Sequence, residues 1–227
     1  MKIKDTTLVA VSSTRIEETI YALRHSMDKV GCDEVKLLTS ASLPAIRDVR
    51  VQEISPLRSV DQYSDFIIYE LHKHIETRFC LIVQWDGFVI NERMWSDAFL
   101  DYDYIGAPFK RRPNDPSYAT DDRGQFYTVG NGGFSWRSKA LLEAPTKFGL
   151  SRPTWSRSKN EDGFFCVENR RQLESQGFRW APEPLAAQFS NECGLLDPRV
   201  IRRSFGFHGV RLLQRHRFMR SWGGCGY

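Results

Sequence analysis

The run Cys80-Leu81-Ile82-Val83-Gln84-Trp85 stops abruptly at Asp86-Gly87. A short, β-branched apolar run bounded by a turn residue reads as a buried strand, predicted here over 78–85, whose C-terminal end delivers Asp86 to the edge of a sheet. In open α/β sheets ligands sit at that edge. An aspartate there either holds a divalent cation against phosphate, since hard cations prefer oxygen ligands, or simply serves the turn before Gly87.

The preceding residues supply the rest of such a sheet. Thr7–Val11 reads as a first strand, and Ser12-Ser13-Thr14 is placed to cap a helix over about 15–30 with Glu17 and Glu18 in its first turn. Strands are expected at 35–38 and 51–54, and a helix at 59–75 whose apolar side carries Tyr63, Phe66, Ile67, Tyr69 and Leu71. This alternation predicts an α/β fold, with a mixed, mainly parallel central sheet flanked by helices. After Asp86 the pattern loosens. A short strand and turn are expected within 102–109, a Gly-rich strand at 129–136, a helix at 161–176, and short strands near 178–180 and 204–207. The polar, turn-rich stretch 110–124 is either a lid or a plain surface excursion.

With 227 residues, 41% of them hydrophobic, the chain can bury one sizeable core. A single domain over 1–209 followed by a basic tail, 210–227, is expected. No apolar segment approaches the roughly 20 residues needed to span a bilayer, and the first residues lead into a strand pattern rather than a signal peptide, so a cytoplasmic location is expected. The five cysteines are odd in number and widely spaced, which fits reduced thiols, with Cys80 and Cys166 in the core. The net charge of +4 hides an asymmetry: seven arginines follow Asp197 with no acidic residue, and removing them from the 32 basic residues leaves 25 against 28 acidic. That tail, interleaved with Val210, Leu212, Leu213, Phe218 and Met219, either docks peripherally on an anionic membrane surface or packs on its own domain. The acidic body disfavours nucleic acid as a partner.

Three further segments carry residues suited to chemistry. In Val129-Gly130-Asn131-Gly132-Gly133-Phe134-Ser135, three glycines in four positions weaken a strand. They imply either a bulge or a close approach to the backbone. Asn160-Glu161-Asp162-Gly163 sets two carboxylates at the start of an apolar helix, where the helix dipole favours them. Adjacent helical residues diverge by about 100°, so one carboxylate can face a pocket while the other supports a loop. Ser204-Phe205-Gly206-Phe207-His208-Gly209 ends an apolar strand in an imidazole, either structural or a metal ligand.

Taken in order, QWDGF, YDYIGAPF, VGNGGFSWRS, NEDGFFC, AAQFSNE and FGFHG resemble a bacterial and fungal domain family of uncharacterised function that is itself similar to the glycosyltransferase A (GT-A) fold. The resemblance runs from about Leu8 to Gly209. It implies transfer of a sugar from a nucleotide-sugar donor to a hydroxyl of a glycan or lipid-linked acceptor, as in polysaccharide biosynthesis. By that resemblance Asp162, paired with Glu161, is the catalytic base of an inverting reaction, and Asp86 with His208 holds a divalent cation, Mn2+ or Mg2+. Ser12, Ser13, Arg15, Gln84, Trp85, Asp86, Asn131, Gly132 and Gly133 are expected around the donor. Gln84 departs from the pattern, standing where many such enzymes have a first aspartate, which leaves metal dependence open. A nucleotidyltransferase acting on a sugar phosphate, and a non-catalytic carbohydrate-binding or scaffolding domain, remain alternatives.

Overall fold

Strands β1 (Thr6–Val11) and β4 (Phe79–Val83) are buried along their whole length and pair in parallel, Leu8 opposite Leu81 and Ala10 opposite Val83. Continuous apolar runs of this kind are what a sheet covered on both faces requires. The computed structural model describes residues 1–109, 119–192 and 203–210. Around the central pair stand β2 (Glu34–Thr39), β3 (Arg50–Glu53), β6 (Tyr104–Ile105) and β7 (Ser135–Ser138), in the order β3-β2-β1-β4-β7-β6. The first four are parallel, while β7 runs antiparallel to both β4 and β6. The sheet is thus mixed and mainly parallel. Polar, partly exposed side chains on β3 suit an edge position.

Helix α1 (Ile16–Met27) buries Ala22 and Leu23. Helices α2 (Val60–Tyr69) and α3 (Lys139–Phe148) bury Ile67, Ile68, Leu141 and Leu142 in a second apolar cluster with Val9, Cys80 and Ile82. A second sheet, order β5-β9-β8, combines β5 (Gly87–Val89), β9 (Gly206–His208) and β8 (Ser190–Glu192). It packs through Phe88 and Phe207 against α1.

Several boundaries differ from expectation. Strand β4 stops at Val83, and Gln84 and Gly87 exchange backbone hydrogen bonds of 2.9 and 3.0 Å, so Asp86 sits in a tight turn into β5 rather than at a strand end. The helix expected over 59–75 breaks after Tyr69 into a 3-10 turn, Leu71–His74. The short strand expected within 102–109 is the two-residue β6. Residues 129–134 are not strand: Asn131 takes a left-handed φ of 64° and β7 begins only at Ser135. The segment 178–180 makes an isolated bridge, Trp180 to Tyr104. The helix expected over 161–176 divides into α4 (Glu161–Gly163), a π-helical turn at Phe164–Glu168 and α5 (Arg170–Ser175). The α6 helix (Glu183–Phe189), like α3, β5 and β8, lacked a distinct sequence signal.

Nor does the Ser12-Ser13-Thr14 segment cap α1: its N-cap is Arg15, left-handed at φ 49°, with no side-chain cap, and Ser13 Oγ instead accepts from Leu57 N at 2.9 Å. Cys32, Cys80 and Cys166 are free thiols, the latter two buried. Most of the stretch read as lid or excursion, 110–118, lies outside the described residues, as do Cys193, Cys225 and the basic tail after Val210. Among the described residues no helix is long and apolar enough to cross a membrane.

Candidate active site

In the larger sheet the chain leaves β1 toward β2 and β3, then returns to place β4 on the other side of β1. Such a switch point opens a crevice beyond the carboxyl ends of the strands. Here that crevice is a cavity of about 500 Å³, of the size that small-molecule sites occupy. Its walls include Ser12 and Ser13 after β1, Gln84 and Trp85 after β4, Asn131, Gly132 and Gly133 before β7, Glu161 and Asp162 of α4, and His208 of β9. Two of the anticipated residues stand just behind this lining. Asp86 lies against His208, and Arg15 stacks its guanidinium 4.2 Å from the centre of the Trp85 ring.

Strand register explains how residues so distant in sequence meet. Strand β9 is the middle strand of the small sheet, and His208 pairs with Gly87 on one side and Glu192 on the other. The tight turn before Gly87 therefore carries Asp86 to the imidazole, fixed by a hydrogen bond from Gly209 N to Asp86 O at 2.9 Å. Asp86 Oδ1 lies 3.5 Å from His208 Nε2, which also meets Gln84 Oε1 at 3.2 Å. Glu192 Oε1 lies 3.1 Å from His208 Nδ1, in ion-pair range though off hydrogen-bond alignment. Burial disfavours the imidazolium, but the contacts with Asp86 and Glu192 outweigh it and raise the His208 pKa to about 10. Gln84 is held from its other end by donating to Tyr63 Oη at 2.8 Å.

The two carboxylates of α4 have different surroundings. Glu161 is paired with fully buried Arg137, whose Nη2 donates to Glu161 Oε1 at 3.0 Å, while the guanidinium faces the Tyr104 and Phe165 rings. Asp162 accepts from Gly163 N at 2.7 Å. Burial, with the nearby charges of Glu161 and Glu192, pushes its carboxyl up to about 7. Arg152 braces the approach to α4: it donates to the carbonyls of Lys159 and Asn160 at 2.7 and 3.2 Å and pairs with Glu168. The π-helical turn directly after α4 is a rare element that recurs beside functional sites.

The glycines have a specific cause. A side-chain carbon on Gly132 would overlap Glu161 Oε1, and one on Gly133 would overlap the His208 ring. Close approach, rather than a bulge within a strand, explains them, and the approaching groups are the chain's own acid and imidazole. Sequence reasoning missed Tyr63, Arg137 and Glu192. Tyr63 read as part of an apolar helix face, Arg137 only as part of VGNGGFSWRS, and Glu192 only as the end of AAQFSNE. Trp136, beside Arg137 on β7, is fully buried in the core.

The residues that could hold a cation are oxygen-rich. Asp86 Oδ1 and Glu192 Oε2 are buried acceptors without a hydrogen-bond donor. His208 stands between their carboxylates, so among the described residues no three His, Cys, Asp or Glu side chains form a ready chelate. A divalent cation held by Asp86 and His208 would replace the proton that the imidazole carries beside these carboxylates, and would complete its shell with phosphate oxygens and water.

Residues 47–208 match the family described as Protein of unknown function (DUF5672). The chain belongs to that family. No curated protein matches it in sequence. A crystal structure of an active-site mutant of LgtC is similar in fold, with a TM-score of 0.50 at 12% identity, over 89% of this chain and 86% of that one. A structure of the galactosyltransferase LgtC in complex with donor and acceptor sugar analogs aligns over the same shares at 12% identity, with a TM-score of 0.49. This DUF5672 member therefore has the α/β fold of a GT-A glycosyltransferase.

Proposed function

We propose that the protein is a glycosyltransferase that moves a sugar from a nucleotide-sugar donor to a hydroxyl of a glycan or lipid-linked acceptor, with inversion. The observation that carries this reading is the convergence of Asp162, His208 and the Gly132–Gly133 backbone on one cavity at the switch point of a GT-A-type sheet. The nucleotide is expected near Ser12, Ser13, Arg15 and Trp85, and the donor sugar near Asn131, Gly132 and Gly133.

Asp162 is the base in this reading. A carboxyl titrating near 7 is matched to proton abstraction at neutral pH. Its carboxylate takes the proton of the acceptor hydroxyl as the acceptor oxygen bonds to the anomeric carbon. On the opposite face the bond from that carbon to the diphosphate oxygen breaks, and the nucleoside diphosphate leaves with the electron pair. Glu161 is neutralised by Arg137 and holds the start of α4 in place. Asp86 and His208 are the side chains that would hold a divalent cation, which when bound supplies positive charge to the diphosphate. Among the described residues, the carboxylates Asp86, Glu161, Asp162 and Glu192 crowd the cavity, and a diphosphate there would meet Arg15, Arg58, Arg137 and His208 as its nearby cations. Peripheral contact of the basic tail with an anionic membrane, on its cytoplasmic side, completes the proposal.

Asp162→Asn tests it. With a purified donor and acceptor pair, transfer is expected to fall by about 10²–10⁴-fold, the usual weight of a general base, while nucleotide-induced thermal stabilisation persists. Normal transfer by the variant, or retained anomeric configuration in the wild-type product by NMR, overturns the base assignment.

A further inference from the structure

A second cavity of about 460 Å³ adjoins the first and shares Glu192 with it. Its wall is strand β8, and three successive residues there each carry a buried polar atom without a hydrogen-bond partner: Ser190 Oγ, Asn191 Nδ2 and Glu192 Oε2. Ser190 is fully buried and Asn191 is 7% exposed. Buried polar groups in native proteins are almost always paired, so three in a row on one cavity wall call for a ligand. Between them they offer a hydroxyl, an amide donor and a carboxylate acceptor. A sugar hydroxyl both donates and accepts, so one ligand class matches each of these groups in kind.

The remaining lining narrows that class. Phe109 and Ala187 supply apolar surface of the kind that borders small-molecule sites. Among the described lining residues, Glu183 and Glu192 outnumber Arg203, a balance that favours a neutral ligand over an anion. We propose that this cavity binds a neutral sugar residue of the acceptor and that Glu192, common to both cavities, receives a hydrogen bond from a hydroxyl directed toward the donor. The proposal rests on the glycosyltransferase reading for the word acceptor; the sugar site itself stands on the β8 wall.

Saturation-transfer NMR with the methyl glycosides of glucose, galactose, mannose and N-acetylglucosamine, each with and without saturating uridine diphosphate, tests it on the full chain. Ala187→Trp fills the cavity from an exposed position on α6, and Asn191→Ala removes the amide donor. At least one glycoside is expected to bind wild type, to persist alongside the nucleotide, and to bind both variants about tenfold more weakly or worse. Nucleotide thermal shifts should stay at the wild-type value in both. Absence of binding by all four glycosides, equal binding to wild type and variants, or displacement by inorganic phosphate overturns the proposal. If glycosides bind as expected but uridine, guanosine and thymidine diphosphates all fail to stabilise the wild type, the sugar site stands and the glycosyltransferase reading falls.

Discussion

The two sheets treat their buried serines in opposite ways. In the larger sheet, Ser135 is fully buried and fully used: its hydroxyl donates to Gly132 O at 2.9 Å and accepts from Arg137 Nε at 3.1 Å. Ser138 likewise caps α3 through Leu141 N and donates to Asp103 at 2.6 Å. In the small sheet and the turn feeding it, Asp86, Ser190, Asn191, Glu192 and His208 all present buried polar atoms without a hydrogen-bond partner. The larger sheet leaves Trp136 Nε1 and Arg137 Nη1 without hydrogen-bond partners, but its serine hydroxyls hold the fold, whereas in the small sheet the unpartnered atoms gather on consecutive residues beside the cavities. Unmade bonds are costly when buried, so their clustering marks the small sheet as the part shaped for something other than stability.

Three substitution experiments can break that contrast or sharpen it. The largest effect is expected for Arg137→Met, which strands Glu161 without its partner. Breaking a buried ion pair from one side costs about 3–5 kcal/mol, readable as a lower urea midpoint. A loss below about 1 kcal/mol, the range of an exposed pair, would mean that the pair is not the anchor of α4. Next comes a matched pair of serines. Ser135→Ala should cost about 1–3 kcal/mol, because it leaves buried groups unsatisfied, whereas Ser190→Ala should be close to neutral or stabilising, because its hydroxyl has no partner to lose. Equal losses at the two positions would erase the distinction between the sheets.

The smallest effect is a slope. The Asp162 carboxyl titrates near 7 in the fold, above its ordinary value near 4, so its contribution to stability is fully present below about pH 4 and is lost as pH rises through 7. Asp162→Asn, neutral at every pH, should flatten the stability profile between pH 4 and 7 in urea titrations. An unchanged slope would show that the carboxyl is not held in a low-dielectric site.

Much of the larger sheet was legible because its strands are continuous apolar runs. Burial on both faces leaves little freedom in what such residues can do, and β1, β2 and β4 fall within a residue or two of their expected places. Short elements were less legible. Strands β5 and β8 have three residues each, and no period can be read from three residues. The break within 161–176 was hidden because Phe164 to Val167 is as apolar as a regular helix, and only packing selects the π-helical turn. Among site residues, Asp162 and His208 stood out by their apolar neighbours. Glu192 did not, since a lone glutamate after a serine and an asparagine looks like any surface turn.

From the amino-acid order alone came the α/β class, the parallel core and the short list of acids, glycines and one histidine worth watching, because burial and turn chemistry act locally and leave local marks. Which of them meet was decided by register. His208 lies between Asp86 and Glu192 only because β9 is the middle strand of its sheet, and Glu161 turns to Arg137 only because Gly132 leaves room. The pairing of β5 with β9, more than a hundred residues away, depends on the whole chain closing at once, and no window of sequence contains it.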